Sequence, residues 1–282
     1  MSLAVAVLGA SGVYGRHLVP RLISRGHRVR VLVRRPDRSL ALAQAGADVR
    51  AADIFDVETL RSGFAGCDAV VNLATAVPRP GQPPDFATND RIRREGTRAV
   101  VEACADASVE RLIQQSIVMV HGNGHGWVDE DSPLHRTGAT DSAIDMEAWL
   151  TATDRQWIIL RGGLFYGPGT GREEDWFARA RAGTLKIPGD GSDFVSLVHI
   201  ADMAEATAIA VARAPPRTTL IVCDDDPSPW QAVLTWGAAL VNAPEPPLGA
   251  ARALPSFRAS NRRAREVLGW RPHYPNFRTG LV

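Results

Sequence analysis

The sequence predicts an α/β protein, a doubly wound parallel sheet with a smaller C-terminal lobe, on three observations. A short apolar run, Leu3 to Leu8, ends in glycines at 9, 12 and 15 and feeds directly into an apolar-periodic segment. That is the strand, tight turn and helix start that bring backbone N–H groups to a pyrophosphate. Apolar runs then alternate with helix-like segments at the spacing of parallel crossovers. A chain of 282 residues, 45% of them apolar, can also bury one large core and a second, smaller one. Together these predict the Rossmann-type arrangement.

Taken in order, residues 3–8 form the first strand, and the glycine turn offers Gly9, Ser11, Gly12, Val13, Tyr14 and Gly15 to a dinucleotide. Residues 17–25, apolar at 18, 19, 22 and 23, form a helix closed by Gly26. The second strand, from His27, stops at Pro36. In a dinucleotide fold the end of this strand faces the adenosine ribose, where an acid suits a free 2′-hydroxyl and a basic residue a 2′-phosphate. Arg34 and Arg35 stand there without an acid, which points to NADP rather than to two solvated arginines. A helix over 40–45, a strand over 47–51, a helix capped by Asp56 and a strand over 69–74 follow. The four-proline stretch 77–84 is a connection. A helix spans 88–107, a strand begins at 111, a glycine-rich loop covers 121–126, a helix spans 140–152 and a strand 157–161. Residues 1–165 are mainly the cofactor domain and 166–282 mainly the substrate lobe, with segments exchanged between them.

Composition narrows the function. With 32 basic and 31 acidic residues scattered along the chain, no field builds up for nucleic acid or an anionic membrane. Cys67, Cys104 and Cys223 are too dispersed for a metal knuckle or a disulfide framework and read as core residues of a reducing, cytoplasmic setting. His121 and His125 lack a third ligand at suitable spacing, so no metal is expected.

The glycine turn, Asp53-Ile54, Asn72-Leu73-Ala74, Leu160-Arg161 before Tyr166-Gly167-Pro168-Gly169, Val198-His199-Ile200-Ala201-Asp202 and the stretch from Ala264 to Pro272 resemble the extended short-chain dehydrogenase/reductase family over nearly the whole chain. The resemblance implies that Asp53 and Ile54 hold the adenine, that Leu73 and Ala74 line the cofactor, and that Gly162, Gly163 and Leu164 lie by the nicotinamide. It also implies a serine or threonine with Tyr-x-x-x-Lys, in which the tyrosine passes a proton to the developing alkoxide. This chain lacks that set. Its tyrosines are Tyr14, Tyr166 and Tyr274, and its single lysine is Lys186. Placing Glu147 and Leu150 on the family pattern puts Thr140 and Ile144 at the tyrosine and lysine positions, and counting back from Val120-His121-Gly122, which resembles the family's Val-Tyr-Gly, puts Ile117 at the hydroxyl position with Ser116 beside it. Ser116 and Thr140 are the remaining catalytic candidates.

For the substrate, His121, Trp127, Trp149, Phe165, Tyr166, Arg172, Trp176 and Phe177 cluster in sequence around the segments expected to wall the cleft. They suit a bulky aromatic guest. The expectation is an NADPH-dependent ketoreductase resembling the atypical reductases that tailor aromatic polyketides of the angucyclinone type, assisted by a substrate hydroxyl. A silent NADP(H)-sensing protein and a sugar-nucleotide epimerase or dehydratase are the alternatives.

Overall fold

The computed structural model describes residues 2–76, 86–122, 124–252 and 254–281. Its strands are β1 (Ala4–Leu8), β2 (Arg28–Val33), β3 (Asp48–Ala51), β4 (Ala69–Asn72), β5 (Arg111–Ile117) and β6 (Gln156–Gly162). Next come β7 (Leu164–Tyr166) and β8 (Leu197–His199), which pair with each other outside the main sheet, and β9 (Thr218–Val222), which returns to it. The main sheet is seven-stranded, parallel at every pairing, in the order β9-β6-β5-β4-β1-β2-β3. Successive crossovers run outward from β1 to β3, then restart on the other side of β1 at β4. The loops leaving β1 and β4 therefore diverge and open a crevice at the strands' C-terminal ends.

The helices are α1 (Val13–Ser24), α2 (Leu40–Gln44), α3 (Val57–Phe64), α4 (Phe86–Arg91), α5 (Thr97–Asp106), α6 (Asp141–Thr151), α7 (Arg172–Arg181), α8 (Ile200–Arg213), α9 (Trp230–Leu240), α10 (Arg262–Leu268) and the short α11 (Phe277–Gly280). Period-two alternation sends Val5 and Val7 into one core with Leu18, Leu22, Met203 and Val211, under α1 and α8. It sends Ala6 and Leu8 into another with Leu60, Phe64, Val100, Cys104 and Leu150, under α3, α5 and α6. A third core, with Trp176, Leu185, Trp230, Leu234 and Phe257, fills the C-terminal lobe. All three cysteines are free and buried.

Two elements differ from expectation. The first helix starts at Val13, because extended Gly12 is its N-cap. The expected 88–107 helix is interrupted by a π turn at Ile92–Gly96 between α4 and α5. There Gly96 packs against Ile54, and a Cβ would come within 2.9 Å of its Cδ1. The connection expected over 77–84 lies outside the described residues.

Candidate active site

The turn after β1 fits a dinucleotide glycine by glycine. Gly9 has φ +74°, and a Cβ there would lie 2.7 Å from the Leu73 carbonyl carbon, so glycine is what lets the chain leaving β1 touch the chain leaving β4 at the floor of the crevice. At Gly15 a Cβ would meet the Ala10 backbone at 2.3 Å, so this glycine sets the contact between helix and turn. A Cβ on Gly12 would meet only the Gly9 carbonyl oxygen, at 3.2 Å, and the space beyond is open. No side chain caps α1 and no acid sits in its first turn. A helix start without a capping group or acid, beside Ser11, Val13 and Tyr14, is a seat for phosphate. The turn from Gly167 to Gly171 closes over this seat, with His17 Nε2 3.1 Å from the Pro168 carbonyl oxygen.

Around that seat, Leu73 N–H bonds the Leu8 carbonyl at 3.1 Å and Ala74 N–H bonds Asn72 Oδ1 at 3.2 Å, which fixes the second wall. Asp53 Oδ1 accepts the Phe55 N–H at 3.0 Å, and Ile54 is buried beside it. Arg34 and Arg35 stand exposed at the end of β2. Gly162 ends β6, and Gly163 and Leu164 lead into β7; a Cβ on Gly163 would strike the Ser196 carbonyl oxygen at 2.7 Å.

The hydroxyls at the catalytic end are already engaged. Ser116, 1% exposed at the end of β5, donates to Glu147 Oε1. Glu147 on α6 also accepts from Arg161 of β6, whose Nε is 3.1 Å from both of its oxygens and whose Nη2 makes a further bond to Oε2. Arg161 Nη1 lies 2.7 Å from His121 Nε2. Because a guanidinium only donates, that Nε2 accepts, and the ring proton sits on Nδ1, 3.2 Å from the Pro133 carbonyl. Burial and the Arg161 charge both push the His121 pKa down, so the ring is neutral. Thr140 is fully buried at the N-cap of α6, where its hydroxyl donates to the His135 carbonyl at 2.7 Å and accepts the Thr137 N–H at 2.8 Å. Ile117 and Ile144 pack with Val120 and Ala143 in an apolar patch at this end. The Tyr14 phenol is sealed against Thr207, and burial drives its pKa up, as it does for Tyr166.

Of the substrate candidates, Phe165 and Arg172 stay together beside the glycine turn, both half-buried, with Phe165 packed on the core under α1 and α8. The Phe165 ring stands edge-on to Tyr14 at 5.4 Å, and Arg172 Nε donates to the Phe165 carbonyl at 2.7 Å. The other aromatics are placed elsewhere. Trp149 is half-buried on the second core, in a surface pocket shared with Arg98 and Glu102 of α5. Trp127 is 56% exposed under the Arg258 guanidinium. Trp176 meets Trp230 edge-on at 6.0 Å in the lobe core, Phe177 lies against Gly237 of α9, and Tyr166 is fully buried. His121 serves the ion pair, not the cleft. Sequence reasoning missed Arg93, a guanidinium only 7% exposed on the π turn. Local spacing gives no signal for it, because the π turn shifts the facing that a regular helix would assign. Among the described residues, no group of three or more histidines, cysteines or acids could hold a metal, and no helix is long and apolar enough to cross a membrane.

The model of a family described as NAD(P)H-binding matches residues 9–186. A 3-diazoavenalumate denitrifying reductase from a Streptomyces species is 35% identical over 304 residues, covering 98% of each chain. A 4-hydroxy-2-methyl-3-oxo-4-farnesyl-3,4-dihydroquinoline-1-oxide ketoreductase from Stigmatella aurantiaca is 26% identical over 240 residues, covering 81% of this chain and 70% of that one. Among solved structures, a UDP-glucose 4-epimerase from Thermotoga maritima superposes with a TM-score of 0.82 at 18% identity, covering 99% of this chain and 97% of that one. MoeE5 in complex with UDP-glucuronic acid and NAD does so with 0.82 at 26% identity, covering 99% and 96%. With its glycine turn, its switch-point crevice and a family match over most of its length, the chain belongs to the NAD(P)H-binding family of Rossmann-fold, short-chain dehydrogenase/reductase-like proteins.

Proposed function

We propose that the protein is an NADPH-dependent reductase of a bulky aromatic electrophile whose reduction takes no proton from the enzyme, and that this electrophile is an aryl diazonium. The observation that carries the reading is the engagement of both hydroxyl candidates, Ser116 on Glu147 and Thr140 on the His135 carbonyl. When bound, NADPH supplies a hydride: an aryl diazonium then gives the arene, N2 and NADP+, whereas a ketone gives an alkoxide that still needs a proton. The 35% identity to a denitrifying reductase supports the same choice. The chain's own part is to hold the cofactor through the glycine turn and to back the reacting end with the buried apolar cluster of Val120, Ala143 and Ile144, on which Ile117 packs.

Reduction of an aromatic polyketide ketone of the angucyclinone type, with an adjacent substrate hydroxyl supplying the proton, is the second reading. It is favoured by the ketoreductase among the relatives. NADPH oxidation and N2 release, measured with an arenediazonium salt and with a panel of aromatic ketones against enzyme-free controls, separate the two. Enzyme-dependent N2 release supports the first reading, and turnover of ketones alone supports the second. Tight NADPH binding without turnover of either leaves a cofactor sensor. Under both enzymatic readings Ser116→Ala and Thr140→Val keep kcat within about tenfold, where loss of a general acid costs about a hundredfold or more. A fall of that larger size in a folded variant would identify the enzyme's donor.

The NADP preference rests on Arg34 and Arg35. Arg34→Ala should weaken NADPH at least about tenfold more than NADH in calorimetric titration, the size of a lost charge-assisted contact to a 2′-phosphate. Equal losses would remove the preference.

A further inference from the structure

We propose that Arg93 is the anion-binding residue of the crevice, and that its buried guanidinium takes an oxyanion, a carboxylate or phenolate, of the aromatic substrate. The proposal rests on the reading above that an aromatic guest lies at the C-terminal ends of β4 and β5.

Arg93 lies on the π turn Ile92–Gly96, and a π turn re-aims side chains that a regular helix would carry elsewhere. One turn earlier, Asn89 Oδ1 accepts the Ala76 N–H at 3.0 Å, which ties this wall to the loop after β4. On the opposite side, Arg93 Nη1 donates to Ser142 Oγ at 3.2 Å in the first turn of α6. The helical stretch that carries Arg93 is thus tied to the loop after β4 through Asn89, and its guanidinium to α6, the helix whose Glu147 reaches Ser116 at the end of β5.

What sets Arg93 apart is its lack of a carboxylate. Arg91 pairs with Glu95 at 2.8 Å, and Arg94 with Asp145 at 2.8 Å, both on the surface. Arg93 is the buried member of this run, and its one hydrogen bond among the described residues is to a neutral hydroxyl. Asp90 and Glu147 act on its charge from farther away, and the oxygens of Glu147 are already engaged by Arg161 and Ser116. Burial lowers the pKa of Arg93 by more than Asp90 and Glu147 raise it. A buried guanidinium is stable when an anion meets its planar fork, and here most of the fork is unused. A carboxylate or phenolate on an aromatic guest supplies that anion and fixes the ring's register over the cofactor.

The test is calorimetric binding to the NADP+-loaded full chain with two probe pairs: cinnamate against cinnamamide for a carboxylate, and 4-nitrophenolate against 4-nitroanisole for a phenolate. The wild type should prefer at least one anion over its neutral partner by about tenfold or more, Arg93→Gln should erase that preference, and Arg93→Lys, which keeps the charge without the fork, should retain part of it. Affinity for NADP+ should stay within about twofold of wild type in both variants, since the anion belongs to the substrate. If Arg93→Gln does not fold, the wild type and Arg93→Lys still carry the test. No preference in the wild type, equal losses for anion and neutral partner in Arg93→Gln, a full wild-type preference in Arg93→Lys, or a parallel loss of NADP+ affinity would each overturn the proposal. Binding is read without turnover, so failure to reduce a diazonium is a separate result.

Discussion

Replacing Glu147 by alanine should destabilise the protein by about 3–5 kcal/mol, the cost of leaving a buried charge without its partner. Arg161 is 6% exposed and directs Nε and Nη2 at Glu147, and the Ser116 hydroxyl donates to the same carboxylate. The substitution strands a cation and a hydroxyl where β5, β6 and α6 meet. Glu147→Gln keeps the shape and one acceptor and should lose less. Urea denaturation measures both, and a loss below about 1 kcal/mol for Glu147→Ala would mean that water reaches Arg161 in solution.

Gly15→Ala should have an effect of similar size through shape alone. Its Cβ would sit 2.3 Å from the Ala10 Cα and 2.4 Å from the Ala10 carbonyl oxygen, backbone that moves only if α1 lifts off the turn. Overpacking commonly costs 1–3 kcal/mol, and with backbone as the obstacle we expect about 3 kcal/mol together with loss of NADPH binding. Gly12→Ala is the contrast. Its φ of −71° suits alanine and its one close contact is 3.2 Å, so the fold should persist while the added methyl on the ligand side weakens NADPH. If both variants bind NADPH as the wild type does, the glycine turn does not hold the pyrophosphate.

The parts of this molecule legible in the sequence are those whose physics is local. The strand, turn and helix at 4–24 follow from apolar alternation and glycine spacing, and Asp56 is indeed the cap of α3, accepting from the Glu58 and Thr59 N–H groups. The end of the second strand, with its exposed arginines, is local in the same way. Contacts across long separations were not legible. Arg161 lies 40 residues from His121 and 14 from Glu147, and no local pattern says that these three and Ser116 share one buried network. The tryptophans scatter for a related reason: closeness in sequence does not give the facing of a helix, so Trp149 of α6 packs on the second core and Trp176 in the lobe core. Thr140 was found at the right end of α6, but the cap turns its hydroxyl back into the preceding loop. Arg93 was hidden because a π turn shifts the facing that regular helical spacing would assign.

Under the proposed function, hydride delivery to the aromatic guest takes no proton from this protein. The most direct test follows the label from NADPH deuterated at the transferring position of the nicotinamide, with an arenediazonium substrate in ordinary water. One deuterium is expected at the ring carbon that bore nitrogen, with N2 in equal amount and the same outcome in Ser116→Ala and Thr140→Val. Hydrogen from solvent at that carbon, or loss of turnover in either variant while it remains folded and binds NADPH, would contradict it.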